Sequence, residues 1–95
     1  MEYITVMKID EAGHISDKVV SLLRQERIRQ GMSQYKLAKQ CGLSKTSIAF
    51  IERLDNKPTL RTLLMIAECL NIELGDIIKT AQKEQQRHLS PKTLC

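Results

Sequence analysis

Ninety-five residues are enough for one compact domain and too few for a separate sensor domain beside it. Only 3 % of the residues are aromatic and Trp is absent, so the core is aliphatic and no pocket for a large cofactor is implied. The formal charge of +4 is uneven, with net −3 over residues 1–17, +6 over 18–58 and +1 over 59–95; the central basic segment suits a polyanion such as a phosphate backbone, a solvated basic face being the plainer alternative.

In chain order, residues 3–9 (Tyr-Ile-Thr-Val-Met-Lys-Ile) are β-branched and aromatic and predict one short strand, closed by Gly13. Residues 1–17 thus read as an N-terminal arm. Ser16 or Asp17 offers a cap for a first helix to about Gln30, with Gly31 as its stop. Its apolar stripe is Val19, Val20 and Leu23, and Arg27 follows on that stripe where an apolar residue is expected. Ser33 caps a second helix over Gln34–Cys41, with Leu37, Ala38 and Cys41 inward and Gly42 supplying a left-handed stop. Ser44 caps a third helix, with Ile48 and Ile51 inward and Glu52 beside them.

Leu54 to Pro58 is a loop, because Pro58 cannot continue a helix. Thr59 caps a fourth helix with the stripe Leu60, Leu63, Leu64, Ala67 and Leu70, and Asn71 is its stop. Leu74, Ile77, Ile78 and Ala81 share one face of a fifth helix. Residues 82–95 are polar, contain Pro91 and read as a C-terminal tail, leaving 18–81 as the domain proper. The expected fold is therefore all-α: a compact five-helix bundle preceded by a short β-strand arm.

Cys41, Cys69 and Cys95 are far apart, and His14 and His88 are isolated, so neither a zinc site nor a disulfide framework is indicated. No apolar run reaches the roughly 18 residues of a membrane span, and the acidic N-terminus does not look like a signal peptide. The expected location is the cytoplasm. No Ser/His/Asp set and no Gly-rich phosphate loop is present, so catalysis is not expected and no cofactor is called for.

The informative stretch is Ser33–Arg53, SQYKLAKQCGLSKTSIAFIER. Two short helices meet at a tight turn, with the small Ala38 permitting close approach and Gly42 permitting positive φ at the corner. Ile48 and Ile51 hold the third helix from behind. Lys45, Thr46, Ala49 and Phe50 then form one outward stripe, on a helix of the width that enters a DNA major groove.

At this point the sequence resembles the phage-repressor helix-turn-helix family, also called XRE or Cro-like, over about Val19 to Ala81. The matching residues include Arg27, Ser33-Gln34, Leu37-Ala38, Gly42-Leu43-Ser44, Ser47-Ile48, Ile51-Glu52-Arg53 and Pro58-Thr59-Leu60. The resemblance implies duplex DNA as partner, a palindromic operator, and residues 44–53 as the recognition helix. It implies Lys45, Thr46, Ala49 and Phe50 at base edges and Gln34, Ser44, Ser47, Arg53 and Lys57 at phosphates, with Gln34 also bracing the third helix. Phe50 could instead belong to the core, Lys45 could be merely solvated, and Ser44 is a helix cap in either case.

Two departures from the family pattern stand out. Leu54 occupies a place where Gly is frequent, which moves the expected left-handed position to Asn56, and Glu73 opens the fifth helix where Ser, Thr or Pro is usual. Arg27 and Glu52, opposite charges on inward faces, are expected to form a structural ion pair. A homodimer is expected because one recognition helix covers few base pairs; Ile77 and Ile78 are its candidate interface, with a purely core role for them equally open. The leading function is sequence-specific transcriptional regulation, as a repressor or autoregulator. The alternative is a protein-interaction or antitoxin module on the same scaffold, with a protein partner and DNA secondary.

Overall fold

A computed structural model describes residues 2–94, with side chains over 11–85. Five helices follow in order: α1 (Glu2–Arg29), α2 (Gln34–Cys41), α3 (Lys45–Glu52), α4 (Leu60–Cys69) and α5 (Leu74–Leu94). No strand occurs among the described residues. α1 packs along α5 and also touches α3 and α4, while α2 sits on α3 and α4. Val19, Val20 and Leu23 of α1 meet Leu37, Ile48, Ile66, Leu70 and Leu74 in one aliphatic core.

The three short helices start where side chains can cap them. Ser33 Oγ accepts from the Lys36 N–H at 3.0 Å, Ser44 Oγ from Ser47 at 3.0 Å, and Thr59 Oγ1 from Thr62 at 3.2 Å. Each cap satisfies a donor that the first helical turn leaves without a partner.

The helix ends share one device. Gly31, Gly42, Leu54 and Asn71 all have left-handed backbone, with φ of 70°, 74°, 65° and 61°. The residue after each turns its N–H back: Met32 to the Arg27 carbonyl at 3.1 Å, Leu43 to Ala38 at 2.9 Å, Asp55 to Phe50 at 2.9 Å, and Ile72 to Ala67 at 3.0 Å. This is the Schellman closure, which reverses the chain within two residues. Leu54, not Asn56, therefore takes the left-handed position after α3, because the closing bond to Phe50 comes from Asp55.

Three further features differ from expectation. α1 does not begin at a cap on Ser16 or Asp17. Its helix includes Ile15, packed against the core, and the Asp17 carboxylate accepts from Lys57 Nζ at 3.2 Å, so it caps nothing. The bounds of α1 also run through residues 3–9, the place of the expected strand, whose side chains lie outside the described residues. Unlike a lone strand, a helix satisfies its own backbone groups.

α5 likewise continues past Ala81: residues 82–85 are helical, and Glu84 pairs with Lys18 of α1 at 2.8 Å. The polar segment read as a tail therefore begins inside a packed helix. Finally, Leu60 and Leu64 of the expected α4 stripe are exposed, 62 % and 50 %, and Ile66 is buried in their stead. The inward arc is Leu63, Ile66, Ala67 and Leu70. Ile77 and Ile78 are half-buried against the core.

At the end of α1, Glu26 accepts from Arg29 Nε at 3.0 Å and from Gln30 at 2.9 Å, and Gln30 also donates to the Leu70 carbonyl at 2.7 Å. Arg29, then Gln30, hold the Glu26 carboxyl down at about 2 against an ordinary 4.5. Its contribution is therefore present above about pH 4.5 and fades as pH falls through about 2. An NMR titration of the Glu26 carboxyl should show a midpoint near 2 that moves back toward 4.5 in Arg29→Ala.

Leu54 carries a second test. A side chain in the left-handed region costs about 1–2 kcal/mol, which Gly avoids. Leu54→Gly should exceed Leu54→Ala in stability by about 1 kcal/mol in urea unfolding. Equal midpoints would show that the turn after α3 is unstrained.

Candidate nucleic-acid interface

The geometry begins with Arg27. It is 8 % exposed, inside the aliphatic stripe of α1. Its Nε donates to Glu52 Oε2 at 2.7 Å and its Nη2 to Glu52 Oε1 at 2.9 Å, a bidentate fork. Its Nη1 donates to the Met32 carbonyl at 2.6 Å. Gln34, first residue of α2, donates its amide to Glu52 Oε1 at 2.9 Å. Arg24 Nε stands 3.8 Å from the same oxygen, at the exposed edge. One carboxylate thus ties α1, α2 and α3 together, and no buried side-chain polar atom lacks a partner among the described residues.

This brace determines which side of α3 faces out. With Ile48 and Ile51 buried and Glu52 held inward, Lys45, Thr46 and Arg53 are exposed, Ala49 is half-buried and Phe50 is 38 % exposed. Phe50 is therefore outside the core. The Arg53 guanidinium lies 4.9 Å from the centre of its ring, and Arg53 Nε also pairs with Asp55 at 3.1 Å.

Ser44 is the α3 cap; it also donates to Ser47 Oγ at 2.9 Å. Lys57, in the loop beyond α3, is exposed and paired with Asp17 of α1. The structure thus brings Gln34 and Glu52 together behind α3, sets Lys45, Thr46, Ala49 and Phe50 along one outer stripe, and leaves Ser44, Ser47, Arg53 and Lys57 around its two ends.

Gln34 was expected to brace the third helix, and it does so through Glu52. Three contacts were not read from the sequence: Arg24–Glu52, Arg53–Phe50 and Lys57–Asp17. The first two had a usable signal. Arg24 lies three residues before Arg27, Arg53 lies three after Phe50, and residues at that helical spacing are neighbours. Lys57–Asp17 spans 40 residues and had none.

Among the described residues no group of three His, Cys, Asp or Glu could hold a metal ion, and no helix is long and apolar enough to cross a membrane. Cys41 is buried and its thiol donates to the Met65 carbonyl at 3.8 Å; burial first, then the neighbouring Cys69 thiol, push it up to about 12.

An all-α scaffold with a braced α2–turn–α3 unit and an outward-facing stripe on α3 is the architecture of DNA-binding helix-turn-helix proteins. Residues 23–77, more than half of the chain, match the family model described as Helix-turn-helix, and the chain belongs to that family, the XRE or Cro-like group. The HTH-type transcriptional regulator SutR of Escherichia coli (strain K12) is 38 % identical over 60 residues, which are 63 % of this chain and 34 % of that protein. The chain thus spans about a third of the length of that relative. An uncharacterized HTH-type transcriptional regulator of Archaeoglobus fulgidus is 34 % identical over 55 residues, 58 % of this chain and 79 % of that one. Among solved structures, a point mutant of the restriction-modification controller protein C.Esp1396I superposes with a TM-score of 0.70 at 28 % identity, covering 78 % of this chain and 96 % of that one.

The brace carries its own test. Removing one partner of a buried pair leaves the other charge uncompensated, at about 3–5 kcal/mol. Glu52→Ala should cost that much in urea unfolding, while Arg24→Ala, at an exposed edge, should cost under about 1 kcal/mol. A small loss in Glu52→Ala would mean that water replaces the carboxylate around Arg27.

Proposed function

We propose that the chain binds duplex DNA sequence-specifically and regulates transcription in the cytoplasm, as a homodimeric repressor or autoregulator without catalytic activity. Residues 18–81 are read as the DNA-binding domain, and 44–53 as the recognition helix that enters the major groove. The observation that carries this reading is the stripe of Lys45, Thr46, Ala49 and Phe50, facing out from a helix whose back is held by the Glu52 contacts.

Lys45 and Thr46 follow the cap Ser44, at the end of α3 that points into the groove. There a Lys donates to guanine O6 or N7, and a Thr hydroxyl or methyl meets a base edge. Ala49 offers a small apolar surface, and Phe50 presents its ring to thymine methyl groups while Arg53 stacks on it and reaches for phosphate. The N-terminus of α3 favours anions, so Ser44 and Ser47 suit a phosphate there.

Gln34 keeps a second amide hydrogen for a phosphate while the first holds Glu52. Lys57 exchanges Asp17 for a phosphate at small cost, since an exposed pair is worth about 0.2–1 kcal/mol. A homodimer suits this chemistry because two recognition helices about 34 Å apart read two half-sites one DNA turn apart.

Selection of bound fragments from a random DNA pool would yield the operator. On that operator, Lys45→Ala should cost about 1–3 kcal/mol and relax preference at one base pair. Lys57→Ala should weaken all sequences alike and reduce the salt slope by about one. Uniform loss in Lys45→Ala, with base preference intact, would make Lys45 a phosphate ligand and displace the reading stripe.

A further inference from the structure

Two thiols lie behind the helix-turn-helix corner. Cys41 is the last residue of α2 and Cys69 the last of α4; they are distant in sequence and neighbours in the fold. Both are free. The bond from Cys41 Sγ to the Met65 carbonyl aims that thiol at the turn of α4 that carries Cys69. Cys69 itself is half-buried against the core. An open cleft of about 330 Å³ reaches the pair from outside, lined by Gln40, Cys41, Met65, Glu68 and Cys69. Burial, then the Cys69 thiol, keeps Cys41 protonated at neutral pH. The thiolate is the reactive form, so an oxidant entering the cleft reacts first at the more accessible Cys69.

The position of the pair connects it to α3. Cys41 directly precedes Gly42, the left-handed residue of the corner, and only Gly42 and Leu43 separate it from the cap Ser44. A disulfide holds its sulfurs at about 2.05 Å, much closer than two thiols in contact. Closing the bond therefore draws the end of α2 toward the end of α4. The interior between them is close-packed and transmits such a shift instead of absorbing it. At the other end of α2, Gln34 holds Glu52, so the same movement reaches the roll of α3.

We infer that Cys41 and Cys69 form a reversible disulfide in response to a hydroperoxide, and that its closure weakens the hold of α3 on operator DNA. The Cys69 sulfur attacks one peroxide oxygen; an S–O bond forms, the O–O bond breaks, and the other oxygen leaves with the thiol proton as water or an alcohol. The Cys41 sulfur then attacks the sulfenic acid at Cys69. The S–S bond forms, the S–O bond breaks, and hydroxide leaves with the Cys41 proton as water. Each sulfur gives up one electron and the peroxide takes up two. A thiol reductant reverses the bond by exchange. In the cytoplasm proposed above the resting state is the dithiol. The effect on the operator rests on the DNA reading proposed above; the bond itself does not.

The test treats the full chain with stoichiometric hydrogen peroxide. The intact mass should fall by about 2 Da, the two thiol hydrogens, and digestion without reduction should yield peptides joined through Cys41 and Cys69, not through Cys95. The oxidised chain should bind the selected operator at least about tenfold more weakly, the equivalent of one lost base contact, and dithiothreitol should restore binding. Cys69→Ser should bind like the reduced protein and ignore peroxide, with unchanged circular dichroism showing the fold intact. Oxidation that leaves Cys69 as sulfinic acid, or joins it to Cys95 or to another molecule, would overturn the disulfide. A complete Cys41–Cys69 bond without change in operator affinity, or a peroxide effect that persists in Cys69→Ser, would overturn the switch. A reduced chain that binds no duplex would overturn the DNA reading instead, and the peptide linkage would still decide the bond.

Discussion

The Glu52 carboxylate is almost withdrawn from water, with 7 % of its side chain exposed, and everything that faces DNA in the proposed complex depends on how that charge is satisfied. Arg27 supplies two parallel donors and Gln34 a third. A buried pair of this kind adds little net stability relative to an apolar pair of the same volume, because both ions lose their hydration. Its effect here is directional. A bidentate fork tolerates little rotation, so the contact sets the roll of α3 about its axis. The outer stripe of Lys45, Thr46, Ala49 and Phe50 inherits that roll. Two isoleucines alone, Ile48 and Ile51, would permit small rotations, since apolar contacts carry no angular preference.

The same Arg27 connects this brace to the chain reversals. Its third donor goes to the Met32 carbonyl, and the Met32 N–H closes the turn at Gly31. The end of α1 and the start of α2 are thereby fixed together, which places Gln34 within reach of Glu52. With four of the helix ends closed by left-handed residues, the connections are short and there is little slack between elements. Leu54 stands apart among these, because a side chain is least welcome in that conformation. It sits between the recognition helix and Lys57, so the strain is localised beside the proposed interface, held by the Asp55 bond to Phe50 and the Leu54 bond to Ile51.

Much of the domain was legible because its signals are local. Ser33, Ser44 and Thr59 each precede an apolar pattern and cap in the expected place. Arg27 on an apolar stripe, with Glu52 on another, declared a buried pair by being out of place. Elsewhere the decisive contact was distant. Asp17 looks like a cap until Lys57, forty positions away, takes its carboxylate. Residues 82–85 are polar enough for a tail, and only their packing on α1 makes them part of the fold.

The α4 leucines failed for another reason. Periodicity groups Leu60, Leu63, Leu64, Ala67 and Leu70 on one broad arc, yet burial takes only part of that arc and adds Ile66. The pattern identifies a helix with an apolar side; it does not say how wide a strip the neighbours cover.

The cations at the far end of α3 are partly neutralised in the free protein, Arg53 by Asp55 and Lys57 by Asp17. Such exposed pairs are weak and are screened by salt within about 10 Å, so they yield readily to a phosphate that arrives in register. A phosphate out of register must compete with them for nothing in return. In the proposed complex the acidic partners would therefore weigh more against arbitrary DNA than against a site that engages Lys45 and Thr46 as well. In the proposed complex, discrimination would rest on two features acting together: a helix whose roll is fixed from behind by Glu52, and cations freed from their acidic partners as the outer stripe engages bases.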